Sequence, residues 1–170
     1  MENTKYPKRK TIRLKGYSYS DDGAYFVTIC VKNKAQLLGE IVGDGACDVP
    51  HIILTEYGKV AEKYINLMNQ KYDNVYIDKY IIMPNHIHLI IVIQNCNAEC
   101  GSSQAPNPTN ATIPRFVSLY KRYCNHEYGK NIWQRSYNDH IIRGKKDYFE
   151  IWNYIEYNHL KWSADCFYTE

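Results

Sequence analysis

The sequence lacks the features that mark membrane and secreted proteins. No apolar run approaches the roughly 20 residues needed to span a bilayer. The polar, basic start of the chain, 1–15, also has no apolar core of a secretory signal. We therefore expect a cytoplasmic protein with no membrane partner. The 170 residues, 45% of them hydrophobic and 23% charged, fit one domain, 1–170, with an ordinary globular core.

The six cysteines lack the spacing of a zinc or redox centre. No CxxC pair occurs, and Cys96 and Cys100 form a lone CxxxC pair inside a polar segment. Because nothing indicates an oxidising compartment, scattered free thiols are favoured over disulfides or a zinc site.

The chain also has little excess of one charge, with a net charge of only +3. The distribution of that charge is more informative, because basic residues concentrate in an N-terminal arm, 1–16, and again near the last predicted helix. Such basic segments fit contacts with DNA phosphates, although a solvated tail has the same composition. The candidate DNA-binding residues are Lys8, Arg9, Lys10, Arg13, Lys15, Arg115, Lys121, Arg122, Arg135 and Arg143.

Hydrophobic periodicity predicts an α+β fold in which helices cover one face of an antiparallel sheet. Strands are predicted at 24–31, 37–42, 51–54, 75–83, 86–93 and 140–142, and a short extended segment at 132–134. The strand at 37–42 lies within hairpin reach of the first strand. Helices are predicted at 55–70, 115–127 and 147–160, the last capped by Asp147. The segment 94–114, rich in proline, asparagine and serine, is predicted to be a flexible loop.

Two histidines stand out in strand 86–93, which is otherwise apolar and is therefore predicted to be a central strand covered on both faces. His86 and His88 are two residues apart, so their side chains leave the same face of the strand while Ile87 points to the other. Two imidazoles placed in this way can share one metal ion. Solvent-facing or hydrogen-bonded structural histidines explain the pattern equally well, so the strand alone does not decide.

The last predicted helix carries a second unusual pattern. Ile151, Tyr154, Ile155 and Asn158 follow the spacing i, i+3, i+4, i+7 and share one face. An asparagine on a core-facing stripe requires a hydrogen bond or a metal ion. The chain has 17 tyrosines, however, and Asn158 could bond to backbone near the helix end. On this pattern alone, packing is the simpler interpretation.

Three groups of residues together resemble a known family. Met-Pro-Asn-His-Ile-His at 83–88 resembles the HUH motif (histidine, bulky hydrophobic residue, histidine) of IS200-like Y1 single-strand DNA transposases. Ile-Trp-Gln-Arg at 132–135, Asp-His-Ile-Ile-Arg at 139–143 and Tyr-Ile-Glu-Tyr-Asn at 154–158 resemble the C-terminal signature of REP-associated tyrosine transposases. The segments 13–17 and 23–28 are also similar to that group.

The resemblance implies a ferredoxin-like HUH endonuclease domain with Tyr154 as the nucleophile. His86 and His88 would bind Mg²⁺ or Mn²⁺, and Asn158 would be a third ligand where related transposases carry glutamine. The chain departs from the group after Asn158, where proline is typical and His159 follows; this histidine could compete as a ligand. His140 and Gln134 lie in the matched motifs without an assigned role.

The implied function is that of a metal-dependent endonuclease and strand transferase acting on single-stranded, hairpin-bearing DNA through a phosphotyrosine intermediate. Whether the protein acts alone or as a homodimer stays open, because both forms occur among such enzymes. The main alternative is a domesticated hairpin-DNA-binding protein with little or no catalytic activity. A third interpretation is an RNA-binding α+β module in which the two histidines are structural.

Overall fold

The computed structural model describes residues 18, 20–43, 48–94 and 112–168. The predicted basic arm 1–16 and most of the predicted loop 94–114 lie outside the described residues. Within the described part, no helix has both the length and the apolar character to cross a membrane.

The strands are β1 (Gly23–Cys30), β2 (Gly39–Val42), β3 (His51–Leu54), β4 (Val75–Ile82), β5 (His86–Ile93) and β6 (Asn138–Ile142); the helices are α1 (Glu56–Lys71), α2 (Thr112–Tyr128) and α3 (Gly144–Tyr157). Two short 3₁₀ segments complete the list, at Lys32–Lys34 and Asn158–Ala164.

Four strands form one antiparallel sheet in the order β4-β5-β1-β6, and β2 pairs with β3 in a separate hairpin. The central strand β5 is buried along almost its whole length. In the register between β1 and β5, Thr28 faces His88 and Cys30 faces His86. This register places both histidines at one end of the sheet, next to β1.

The sheet has a core face and a site face. Alternate residues of β1 and β5 leave opposite faces, and one set joins the side chains of α1 and α2 in a single buried cluster. Tyr120 of α2 is part of that cluster and donates a hydrogen bond from its hydroxyl to the carbonyl oxygen of Ala61 in α1 (3.1 Å). The other set, Phe26, Thr28, His86 and His88, lies beneath α3.

The predicted α+β class and antiparallel sheet are therefore confirmed, with one difference in the distribution of the helices. We predicted cover on one face, whereas α1 and α2 cover the core face and α3 crosses the site face. The reason lies in β5, which is apolar apart from its two histidines and is shielded from water on both faces.

Three further predictions were wrong in detail. The strand after β1 pairs with β3 and does not form a hairpin with β1. Helix α2 begins at Thr112, so its proline, Pro114, lies in the first turn, where a missing N–H costs nothing. Helix α3 begins at Gly144 rather than Asp147, because Gly144 adopts a positive φ of 83° that turns the chain directly from β6 into the helix.

Candidate active site

His86 and His88 converge on the site face of β5. Both side chains are fully enclosed, with 0% and 1% of their surfaces exposed. Their Nε2 atoms lie 2.9 Å apart, and their ring centroids are 4.4 Å apart. Two imidazoles in this arrangement must share either a proton or a cation, because two unprotonated nitrogens at that distance repel each other.

Asn85 determines which nitrogen of His86 carries the proton. The amide nitrogen of Asn85 donates to two backbone carbonyl oxygens, those of Lys34 (3.2 Å) and Phe167 (2.8 Å). Its amide oxygen must then be the atom that lies 2.8 Å from Nδ1 of His86. An amide oxygen only accepts, so His86 is protonated on Nδ1 and its Nε2 presents a lone pair to the site.

Thr28 orients His88 in the same way, with its hydroxyl oxygen 2.9 Å from Nδ1. Burial lowers the pKa of His86 to about 4 and the pKa of His88 well below its ordinary value. Both rings are therefore neutral near pH 7, which is the form that binds metal ions. The hydroxyl oxygen of Thr28 can accept a hydrogen bond from a protonated Nδ1, and in that tautomer Nε2 of His88 also presents a lone pair as a ligand.

Tyr154 reaches the histidine pair from α3. Its hydroxyl oxygen lies 3.2 Å from Nε2 of His88, and its ring stacks edge-on against that imidazole. The tyrosine is nevertheless 42% exposed, so a ligand in solution can approach it. Burial of the hydroxyl end, followed by the charge of Asp165, raises the pKa of the phenol above its ordinary value.

Asn158 lies one turn beyond Tyr154, where the α-helix gives way to the 3₁₀ segment. Its side chain is only 3% exposed, and its amide nitrogen donates to Oδ2 of Asp165 (3.0 Å). The amide oxygen is buried without a hydrogen-bond partner. A buried, unpartnered acceptor on a side chain that bonds to Asp165 is one that a bound cation would satisfy.

Asp165 is the member of the site that the sequence interpretation missed. Among the described residues, the group able to hold a metal ion comprises His86, His88 and Asp165, with one ligand atom from each and all of these atoms within 4.8 Å of one another. His159, which we considered as a competing ligand, is not part of it. The donor set of imidazole nitrogens and carboxylate oxygen fits a divalent ion without fixing its identity.

A cavity of about 610 Å³ opens beside Tyr154 and leads to Asp165. Its walls come from the exposed side of α3 and from the 3₁₀ segment, and include Glu150, Asn153 and Tyr157. The volume is large enough for a nucleotide-sized group, and both Tyr154 and Asp165 line the cavity.

Two other residues of the matched motifs have structural contacts. His140 donates from Nε2 to the carboxylate of Asp147 (2.9 Å), which also accepts from the backbone N–H of Arg143 (2.8 Å). Gln134 bonds through its side-chain amide to the carbonyl oxygen of Val31 (3.3 Å). Neither residue belongs to the metal-ligand group.

The candidate DNA-binding residues fall into three sets. Those of the N-terminal arm lie outside the described residues: Lys8, Arg9, Lys10, Arg13 and Lys15. Four arginines are exposed on the surface: Arg115, Arg122, Arg135 and Arg143. Lys121 differs from both sets, because its ammonium group donates to the backbone carbonyl oxygens of Gln134 (2.9 Å) and Ser136 (2.8 Å).

Comparisons with known proteins agree with this architecture. No protein-family model matches the sequence. An uncharacterized protein of Haemophilus influenzae is 34% identical over 175 residues, covering 95% of this chain and 94% of that protein. Among solved structures, a REP-associated tyrosine transposase bound to a REP hairpin matches with a TM-score of 0.62 and 22% identity, over 88% of this chain and 73% of that chain. A structure from Deinococcus radiodurans gives a TM-score of 0.40 at 18% identity, a similarity too weak to indicate a shared fold.

Proposed function

We propose that this chain, which belongs to one family with the Haemophilus influenzae protein and has the fold of a REP-associated tyrosine transposase, is a metal-dependent single-stranded DNA endonuclease and strand transferase. The observation that carries the proposal is the position of the Tyr154 hydroxyl, 3.2 Å from Nε2 of His88 within a buried pair of neutral histidines. A protein that only binds DNA has no need of this arrangement.

Tyr154 is the proposed nucleophile. Its hydroxyl oxygen attacks the phosphorus of one DNA linkage, forming a phosphotyrosine bond as the bond to the neighbouring 3′ oxygen breaks. The phenol gives up its proton and the departing oxygen takes one up, so a free 3′-hydroxyl results. Because the energy of the broken linkage is kept in the phosphotyrosine, the reverse attack by another 3′-hydroxyl joins strands without an added energy source.

His86 and His88 are the proposed ligands of Mg²⁺ or Mn²⁺, with the unpartnered amide oxygen of Asn158 as a further ligand. When bound, the ion would polarise the scissile phosphate and oppose its negative charge as Tyr154 approaches. The roles of the chain's own residues are to present the imidazole lone pairs and to hold the phenol against them. Asn85 and Thr28 fix the orientation of the two rings.

We infer that the nucleic acid is a single strand carrying a hairpin, since the transposase with the same fold is bound to a REP hairpin. The exposed Arg115, Arg122, Arg135 and Arg143, with the basic arm, would contact phosphates. Tyr154 reaches His88 of its own chain. We therefore expect one chain to suffice for cleavage even if the protein forms a homodimer.

A denaturing gel with labelled single-stranded hairpin DNA tests the proposal. In Mg²⁺ or Mn²⁺ the wild-type protein should form a covalent adduct that withstands denaturant. Tyr154→Phe and His88→Ala should abolish it, and Tyr157→Phe, a change to an exposed tyrosine on the same helix, should not. Persistence of the adduct in Tyr154→Phe would refute the assignment of the nucleophile. Tight hairpin binding with no adduct in either metal would instead indicate a DNA-binding protein.

A further inference from the structure

Residues Asp165–Tyr168 form a turn that closes over the histidine pair. The ring of Phe167 packs on the imidazole of His86, with centroids 4.6 Å apart. Two side chains from other segments bond to the backbone of the turn. Asn85 donates to the carbonyl oxygen of Phe167, and Lys34 donates from Nζ to the carbonyl oxygen of Cys166 (3.1 Å). The turn is therefore held against two segments, the residue that precedes His86 and the 3₁₀ segment Lys32–Lys34.

This turn directs the carboxylate of Asp165 into the site. Oδ1 accepts a hydrogen bond from the backbone N–H of Phe167 (2.7 Å). Oδ2 accepts from the amide of Asn158 (3.0 Å) and from the hydroxyl of Tyr154 (3.3 Å). An ionised carboxylate has about four lone-pair positions, so three hydrogen bonds leave it the capacity to bind an ion.

Asp165 lies close to one ammonium group, that of Lys34, which bonds to the carbonyl oxygen of the next residue, Cys166. None of the ion pairs among the described residues includes Asp165. The side chains that donate to its carboxylate are the phenol of Tyr154 and the amide of Asn158, neither of which is a basic group. The carboxylate lies with the two imidazoles so that one ligand atom from each is within 4.8 Å of the others, which places it to bind a cation together with them.

We propose that Asp165 is a direct ligand of the divalent ion, so that the C-terminal turn is a structural part of the metal site. This inference rests on the metal site of the proposed function and adds to it a further ligand, which is charged. Two imidazoles and one carboxylate give the protein a net charge of −1 at the ion, whereas two imidazoles and the amide of Asn158 give none. The amide nitrogen of Asn158 then has the role of positioning Asp165.

Titration of the full chain with Mn²⁺ in a calorimeter near pH 7 tests this assignment. Asp165→Asn should weaken binding at least about tenfold, since even groups that only orient a ligand typically contribute that much. Glu150→Gln is the matched control, because it removes the same charge from the wall of the same cavity; its affinity should stay within about twofold. Circular dichroism establishes that both variants are folded.

The possible failures are distinguishable. If Asp165→Asn binds Mn²⁺ as tightly as the wild type while His88→Ala does not, the ligand assignment is refuted and the histidine site stands. If the wild type and every variant fail to bind, the metal site of the proposed function fails as well. Co²⁺ provides a second measurement, since its visible absorption bands should change in Asp165→Asn. Identical bands with weaker binding would mean that the carboxylate acts only through its charge at a distance, which would also refute the assignment.

Discussion

Replacing Asn85 with alanine should affect both stability and metal binding, because its amide group connects three parts of the molecule. It donates to the carbonyl oxygens of Lys34 and Phe167 and accepts from Nδ1 of His86, and the side chain is almost completely buried. Each net hydrogen bond contributes about 1 kcal/mol, and a buried partner left unsatisfied costs more. Losing all three should reduce the free energy of unfolding by about 3 kcal/mol.

The same substitution should weaken Mn²⁺ binding by about tenfold to a hundredfold, the range found when the hydrogen-bond partner of a ligating histidine is removed. Without the amide oxygen, the proton of His86 is free to move from Nδ1 to Nε2, which removes the lone pair that faces the ion. Urea denaturation measures the first effect and calorimetry the second. Long-range ¹H–¹⁵N spectra of the histidine side chains report the position of the proton directly.

Asn69→Ala is the matched control, because Asn69 also bonds through its amide group to backbone atoms, those of Ile77, but lies in α1 against β4. It should destabilise the fold without changing metal affinity or the protonation of His86. If Asn85→Ala leaves His86 protonated on Nδ1 and Mn²⁺ bound with wild-type affinity, the argument that Asn85 prepares the metal site is refuted.

Two further predictions concern residues away from the site. Gly58→Ala should destabilise the protein by about 1–3 kcal/mol, although alanine favours helices, because a Cβ there would overlap with the carbonyl oxygen of Leu38. Lys59→Ala, at the next and exposed position, is the control and should change stability in urea by less than about 0.5 kcal/mol. Lys121→Met should cost about 2 kcal/mol, since it removes a charged donor from two backbone carbonyls. Arg122→Met, at an exposed position, should leave stability nearly unchanged and reduce the salt dependence of DNA binding instead.

The parts of the site that follow from local periodicity were predictable from the sequence. The alternation in β5 placed His86 and His88 on one face, and both are there. The spacing in the last helix placed Tyr154 and Asn158 on the side that faces the sheet, where Asn158 is buried. Both predictions depend only on the direction in which successive side chains leave a strand or a helix. The backbone geometry of each element sets that direction, independently of contacts with the rest of the chain.

The missed features depend on contacts between distant segments. Asn85 was visible in the motif, but its role requires Lys34 and Phe167, which are 51 and 82 residues away. Asp165 lies in a turn with no periodicity, so nothing local connects it with His86. The position of α3 is a different case. The apolar residues of β5 indicated cover on both faces of that strand, whereas the predicted architecture placed the helices on one face of the sheet.

The burial that prepares the histidines for a metal ion should also make the fold sensitive to acid. The pKa of His86 is about 4 in the folded protein and about 6.5 in an unfolded chain. Between these values the unfolded chain binds more protons, so stability is fully present above about pH 6.5 and is lost as the pH falls toward 4. Between pH 7 and pH 5 this contribution of His86 amounts to about 2 kcal/mol, and that of His88 has the same sign.

Urea denaturation of the metal-free protein at the two pH values should show the difference, reduced by about 2 kcal/mol in His86→Gln and unchanged in His126→Gln, at an exposed position on α2. Equal acid sensitivity in the wild type and His86→Gln would show that the ring is not held neutral by burial, and the imidazole pair would then lack the lone pairs that the metal site requires.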